Sequence, residues 1–202
     1  MRLTYRIYFL KDRDLSFMSH DNIMAKFNRE PQRTDYKCVY QGEIEGNCGD
    51  EEDADAVYYL LNENHPADYR LRSLSMGDVV SFIGNGTTAQ NYFCDSFGWH
   101  LLPGFFSDVK LEKTAGTYRG REYLKLKGVE LFPEDILDAI DQGRTHLTVA
   151  RAIYHVTCTV DGCLCRFSAK PVFRSLENIE APHRWHFVTR ERASVLAGGE
   201  VK

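Results

Sequence analysis

Histidine, arginine and tryptophan crowd the end of this sequence in a way that could do acid–base work on a phosphodiester. His183-Arg184-Trp185-His186 is the densest polar–aromatic group, and Arg190 and Arg192 follow it. On a helix, His183 and His186 would share a face, as would His186 and Arg190. Two imidazoles beside a guanidinium can cleave RNA by general acid–base chemistry without a metal. Trp185 offers a ring on which an unpaired base could stack, with Arg184 beside it for phosphate. The bland counterpart is a C-terminal helix that docks through Trp185, Phe187 and Val188 and leaves its polar residues in water.

A second group lies upstream. Arg119, Arg121, Tyr123, Lys125 and Lys127 alternate along a predicted strand over 117–127, so a continuous strand gathers them on one face. Such a basic, aromatic-interleaved stripe could follow a nucleic-acid backbone. An edge strand guarded by lysines against aggregation has the same pattern.

The cysteines point elsewhere. Cys158, Cys163 and Cys165 cluster with His155, but their order lacks the usual zinc pairing. A hairpin turning at Asp161-Gly162 sets Cys158 opposite Cys165. It also turns His155 to the other face, away from the sulfurs. The cysteine face is otherwise apolar, so these read as small buried hydrophobes, and neither a disulfide nor a metal is expected. Cys38 and Cys94 read as core, Cys48 as the exposed thiol. No Walker loop, Rossmann glycine pattern, HExxH or GxSxG is present. No cofactor is expected.

The elements that must position these groups follow from periodicity. Leu3 to Leu10 reads as an opening strand with Leu3, Tyr5, Ile7 and Phe9 on one face. Ser19-His20-Asp21 opens a short helix carrying Ile23, Met24 and Phe27. Lys37 to Gln41 reads as a strand stopped by Gly42. The run Asp50-Glu51-Glu52-Asp53-Ala54-Asp55 starts a helix that ends near Asn64, because acidic residues suit the positive end of the helix dipole. The alternative is an acidic patch imitating phosphate. Asp78 to Ile83 is a buried strand, Gly84-Asn85-Gly86 a hairpin turn, and Thr87 to Asp95 the returning strand, continued beyond a kink at Gly98. Pro133-Glu134-Asp135 opens a helix that Gly143 ends. Val149 to Ala169 forms the cysteine hairpin, Pro182 to Val195 is helical in its later part, and 197–202 is a tail.

Composition bounds what this can be. The 202 residues carry a net charge of −4, which argues against a general nucleic-acid coat. The charge is uneven: residues 1–102 hold 10 basic and 16 acidic side chains, a net of −6, and the remainder nets +2. No stretch of about 18 apolar residues exists, so no membrane span is expected, and the N-terminus has no signal-peptide pattern. The expectation is an α+β protein of two small modules, 1–106 and 110–202. Each would be a short antiparallel or mixed sheet with one or two helices packed on it, in the cytoplasm.

The stretch His65-Pro66-Ala67-Asp68-Tyr69-Arg70-Leu71-Arg72-Ser73-Leu74-Ser75-Met76-Gly77-Asp78-Val79-Val80 resembles the YodL-like domain. Tyr5-Arg6-Ile7-Tyr8, Tyr36 to Gly42 and Tyr92 to Trp99 fit the same pattern in order, so the resemblance covers about residues 3–106. It implies an accessory protein of the plasmids and conjugative elements of Firmicutes, and with that setting an inhibitor of host defence, of anti-CRISPR or antirestriction type. The resemblance does not extend to residues 110–202. The long motif can be architectural, steering a helix end into a buried strand through Asp, Ser and Gly turns. Read functionally, it lines a pocket with His65, Asp68, Arg72, Asp78 and Asp95. The expectation is a non-catalytic binding protein whose partner is a host defence protein or its guide RNA. The alternatives are a metal-independent ribonuclease using His183, His186 and Arg190, and a plasmid regulatory module that binds nucleic acid through the Arg119–Lys127 stripe.

Overall fold

β1 (Arg2–Leu10) sits between two neighbours, β2 (Tyr36–Glu45) and β3 (Val79–Ile83), and both of its faces are covered. Leu3, Tyr5 and Ile7 point to one side, as a period of two requires, and pack against Ala54, Val57 and Leu61 of α2 (Glu51–Glu63). The other side is not left polar. Tyr8 and Leu10 are buried there with Ile23 of α1 (His20–Phe27), Tyr36 and Phe93. In the computed structural model, residues 1–83, 89–118, 121–149, 152–161, 164–174 and 185–198 are described. The turn expected at Gly84-Asn85-Gly86 lies outside them.

The chain is α+β, with four α-helices and thirteen strands among the described residues. Its contacts divide it into two compact units, Met1–Asp108 and Val109–Lys202. The first holds a five-stranded sheet in the order β2-β1-β3-β4-β5, antiparallel throughout, where β4 is Gln90–Cys94 and β5 is Trp99–Leu101.

Two strand expectations for this unit change. β2 does not stop at Gly42 but runs on to Glu45. The glycine is there for closeness: a Cβ at Gly42 would lie 2.5 Å from the Tyr5 hydroxyl oxygen. Nor does the chain continue past a kink at Gly98. It reverses over Asp95–Gly98, with the Asp95 N–H donating to the Gly98 carbonyl at 3.0 Å, and β5 folds back on β4. Gly98 has φ +79°, which suits a residue without Cβ.

The motif segment between α2 and β3 carries little regular structure and is held by side chains. Asn62 on α2 clamps the Leu74 backbone, accepting from its N–H at 2.7 Å and donating to its carbonyl at 3.1 Å. Arg72 makes a two-pronged contact with Asp78, at 2.6 and 2.7 Å, while its guanidinium lies 3.8 Å over the Phe9 ring. The Ser75 N–H and hydroxyl complete the ring of donors around that carboxylate. Asp78 is 2% exposed, so without these partners its charge would be stranded.

The second unit has a five-stranded sheet in the order β13-β10-β11-β12-β6 and a three-stranded sheet β7-β8-β9. The strands are β6 (Lys110–Leu111), β7 (Gly116–Tyr118), β8 (Arg121–Leu126), β9 (Val129–Leu131), β10 (His146–Val149), β11 (Ala152–Asp161), β12 (Leu164–Arg174) and β13 (His186–Val188). α3 (Pro133–Asp141) packs Ile136 and Ala139 inward, and Gly143 follows with φ +73°. α4 (Arg190–Leu196) covers Ile153 and Val188 on the opposite face of the larger sheet.

Here the expected single strand over 117–127 is two. β7 and β8 pair antiparallel, Tyr118 against Arg121, and Lys127-Gly128 is a left-handed turn into β9, with φ values of +52° and +83°. Val149 ends β10 rather than opening the long hairpin. The hairpin's register also differs: Asp161 pairs with Leu164, so Cys158 faces Phe167 and Cys165 faces Val160. The two cysteines become diagonal neighbours on one face, Cα atoms 6.0 Å apart, and are joined as a disulfide, against expectation. Slipping the register by two residues keeps every side chain on its face, so the faces survive although the partners change. Gly162 and Cys163 lie outside the described residues. Finally, the segment before α4 is strand: His186 lies on β13.

Replacing Arg72 by Ala leaves the buried Asp78 carboxylate without its counter-charge and is expected to lose about 3 kcal/mol of stability. Chemical denaturation of the full chain reads this. Adding Asp78→Asn should recover much of the loss, whereas two losses that simply add would mean the pair is not coupled.

Candidate functional site

The acidic run at the start of α2 divides by role. Asp50 caps the helix, accepting from the Asp53 N–H at 3.1 Å. Asp53 points inward, and its carboxylate accepts from the N–H groups of Asn47, Cys48 and Gly49, the last at 2.7 Å. Burial pushes its pKa up, but those backbone donors outweigh burial and hold the carboxyl below its usual range. Gly46 makes room for it, since a Cβ there would come 2.4 Å from a carboxylate oxygen. Glu51, Glu52 and Asp55 are left on the outer face of the helix. The helix-start reading therefore holds for Asp50 and Asp53, and an acidic surface remains beside it.

Aromatic rings join that surface. The Trp99 indole N–H on β5 donates to Asp55 at 2.7 Å, and its ring meets Tyr58 edge-on at 6.1 Å. The turn preceding β5 sets Gly98 next to Glu51 and carries Phe97, which is 97% exposed. Tyr59 and Leu101 are exposed as well. A side chain of that size left wholly in water has no packing role among the described residues. Aromatic side chains are frequent anchors of protein interfaces.

Reading the sequence alone does not find this face. Helical spacing marks Glu51, Asp55 and Tyr58 as one row, but nothing in it says that the strand after Gly98 turns back to lie beside that row.

The residues singled out with the long motif take separate roles, although the Tyr69 hydroxyl, which donates to the Arg72 carbonyl, links several of them. Arg72 and Asp78 form the buried pair described above. Asp68 accepts from the Tyr40 hydroxyl at 3.0 Å, in a cluster where Tyr40 also touches Tyr5 and Tyr69, and His65 meets the Tyr69 ring edge at 5.3 Å. Burial drives the Tyr69 hydroxyl up to about 12. Asp95 lies at the reversal before β5, accepting from the N–H groups of Ser96 and His20. Each of the five thus makes contacts that hold the local chain path. Cys94 is buried, and burial lifts its thiol to about 12, which disfavours the thiolate. Cys48 is exposed, with its thiol raised chiefly by the hydrogen bond to Asp50.

In the second unit the basic stripe is interrupted. Arg119 lies outside the described residues and Lys127 sits in a turn. Arg121 donates to Glu134 at 2.5 Å and lies 4.1 Å over the Phe132 ring. Lys125 is 3.8 Å from Glu130 and 5.8 Å from the Tyr123 ring centre. His183 and Arg184 are also outside the described residues. Trp185 packs with Phe187 on the α3 side of the sheet. His186 and Arg190 share no helix, because Thr189 caps α4 between them. What the structure does bring together is His146 and His155, opposite each other on β10 and β11 with rings 5.1 Å apart. Burial and then the neighbouring charge of His155 hold His146 below its usual pKa.

A family model for the YodL-like domain matches residues 4–105. No curated protein and no solved structure matches the chain.

Glu134 tests the structural role of Arg121. Burial raises its carboxyl to about 7, with Asp135 adding to the rise and Arg121 opposing it. A carboxyl raised in the folded state favours folding below its ordinary range, and that contribution disappears as pH climbs through about 7. Glu134→Gln should therefore flatten the stability profile between pH 5 and pH 8. Arg121→Ala should destabilise strongly at pH 8 and weakly at pH 5, where the carboxyl is neutral. Thermal melts of the full chain across that range decide it; a pH-independent loss for Arg121→Ala would show that the pair is not what holds the arginine.

Proposed function

We propose, from the premise that this chain belongs to the YodL-like domain family, that it is a non-catalytic binding protein. Its aromatic, acidic face occupies the basic nucleic-acid-binding surface of a protein. The observation that carries this reading is Phe97, fully in water on a tight turn beside Trp99, Tyr58, Glu51 and Asp55. Carboxylates on the outer face of α2 offer a lysine- and arginine-lined groove what phosphates would offer it, and the net −6 of residues 1–102 gives long-range attraction to such a surface. Phe97 and the tyrosines supply the desolvated contacts that charge alone lacks.

In the mobile-element setting expected of the family, the partner class is a host defence nuclease or guide-RNA-bound effector, inhibited by occupancy of its nucleic-acid channel. This places the activity in the unit nearest 1–106, with 110–202 as a second module. The nucleic-acid-binding alternative receives less support from the geometry, because Arg121 and Lys125 already face Glu134 and Glu130.

The test is inhibition of defence nucleases, restriction enzymes and guide-RNA effectors alike, by the full chain. Inhibition should saturate near one chain per enzyme, leave the RNA intact in EDTA, and weaken with added salt. Phe97→Ser with Tyr59→Ser should reduce affinity by more than about tenfold, and Glu51→Gln with Glu52→Gln should mainly slow association. Both variants should melt like the parent. Multiple-turnover cleavage of nucleic acid by the chain itself, or inhibition indifferent to both variants, defeats the proposal.

A further inference from the structure

On the face of β5 opposite Trp99 and Leu101, three side chains from separate segments converge. His20 is the first residue of α1. Glu30 follows the left-handed turn at Asn28, φ +55°, which folds the chain back beneath the helix start. His100 is fixed by register, since β5 pairs it with Phe93 on β4. The ring of Phe93 meets His20 edge-on at 5.4 Å, and the His20 and His100 rings lie face to face at 3.7 Å, tilted by 19°. His20 Nε2 is 2.7 Å from a Glu30 oxygen. One ligand-type atom from each residue falls within 4.8 Å of the other two.

We propose that His20, Glu30 and His100 bind a first-row divalent transition metal of the Zn²⁺ class. Two imidazole nitrogens and one carboxylate oxygen suit such ions, whereas Ca²⁺ and Mg²⁺ prefer all-oxygen sets. In a tetrahedral site ligand bonds of about 2.1 Å put donors about 3.4 Å apart, so bringing atoms that lie within 4.8 Å of one another onto one ion takes a closure of about 1 Å. The residues placed to make it are the exposed pair, Glu30 and His100, while buried His20 stays fixed. His100 must also swing out of the parallel stack so that its lone pair meets that of His20.

The charge around the site favours a cation. Asp21 lies 3.9 Å from the other ring nitrogen of His20, and Asp95 accepts from the His20 backbone N–H. The nearest arginine in sequence, Arg29, is gripped by Asp35 through two bonds of 2.7 Å. Three protein ligands leave a further coordination position open to solvent. The bound ion would fasten α1, the turn after it and the edge strand β5 to one another. It would thereby steady the strand whose other face carries Trp99.

The probe is Co²⁺, titrated into the chelator-treated full chain carrying Cys48→Ser and Cys163→Ser, which removes the exposed thiol found among the described residues and the cysteine outside them as competing ligands. One equivalent should bind with the visible ligand-field bands of a nitrogen–oxygen site, and Zn²⁺ should displace it. His100→Ala and Glu30→Gln change exposed residues, so folding should survive, and each should weaken Co²⁺ binding by more than about tenfold. His146→Asn, in the other histidine pair, should change nothing. Absence of Co²⁺ binding overturns the proposal. So does binding that persists unchanged in both His100→Ala and Glu30→Gln, or binding that His146→Asn abolishes.

Discussion

A carboxylate almost cut off from water sits at the entrance to β3, and much of the first unit is arranged so that it never lacks a counter-charge. Burial pushes Asp78 upward in pKa, and Arg72 and Ser75 act against that push. The same residue joins the sheet through its backbone: the Cys94 N–H donates to the Asp78 carbonyl, and the Gly77 N–H to the Cys94 carbonyl. The Arg72–Asp78 contact thus ties the irregular segment after α2 to the start of β3 and the end of β4. The reversal at Asp95–Gly98 and the short strand β5 follow directly from that junction. A buried ion pair is a poor source of net stability. Here it joins the segment after α2 to β3.

β5 illustrates how few residues a surface needs. It is three residues long, and strand alternation divides them. Trp99 and Leu101 face the α2 side, where the indole is tied to Asp55. His100 faces the α1 side, stacked on His20. The aromatic–acidic face and the histidine–carboxylate group are therefore two sides of one edge strand. Edge strands are hazards for aggregation when long and apolar; this one is short, and its side chains are engaged on both sides.

The second unit shows the same alternation sorting chemistry from packing. Tyr154, Val156 and Cys158 face α3 and the core, while His155 meets His146 on the face that α4 covers. Local pattern predicted that separation, and a register two residues from the expected one left it intact. Local pattern did not predict which cations would be neutralised. Arg121 is bound by a glutamate from the first turn of α3, thirteen residues on and beyond the β8–β9 hairpin.

By itself the sequence determined what depends on neighbours a few residues apart. The inward face of β1, the helices at His20, Glu51 and Pro133, the capping role of the acidic run and the turn chemistry of Gly143 follow from spacing and backbone preference. The YodL-like motifs were legible for the same reason. Tertiary structure decided what depends on distant partners: that Gly42 lies inside a strand because Tyr5 crosses it, that the chain doubles back at Gly98, and that Tyr118 and Arg121 end two strands rather than share one. It also decided that Phe97 stays in water while Tyr8 does not. Exposure belongs to whatever happens to cover a residue, and neither the cover of Tyr8 nor the bareness of Phe97 is written in the side chains beside them.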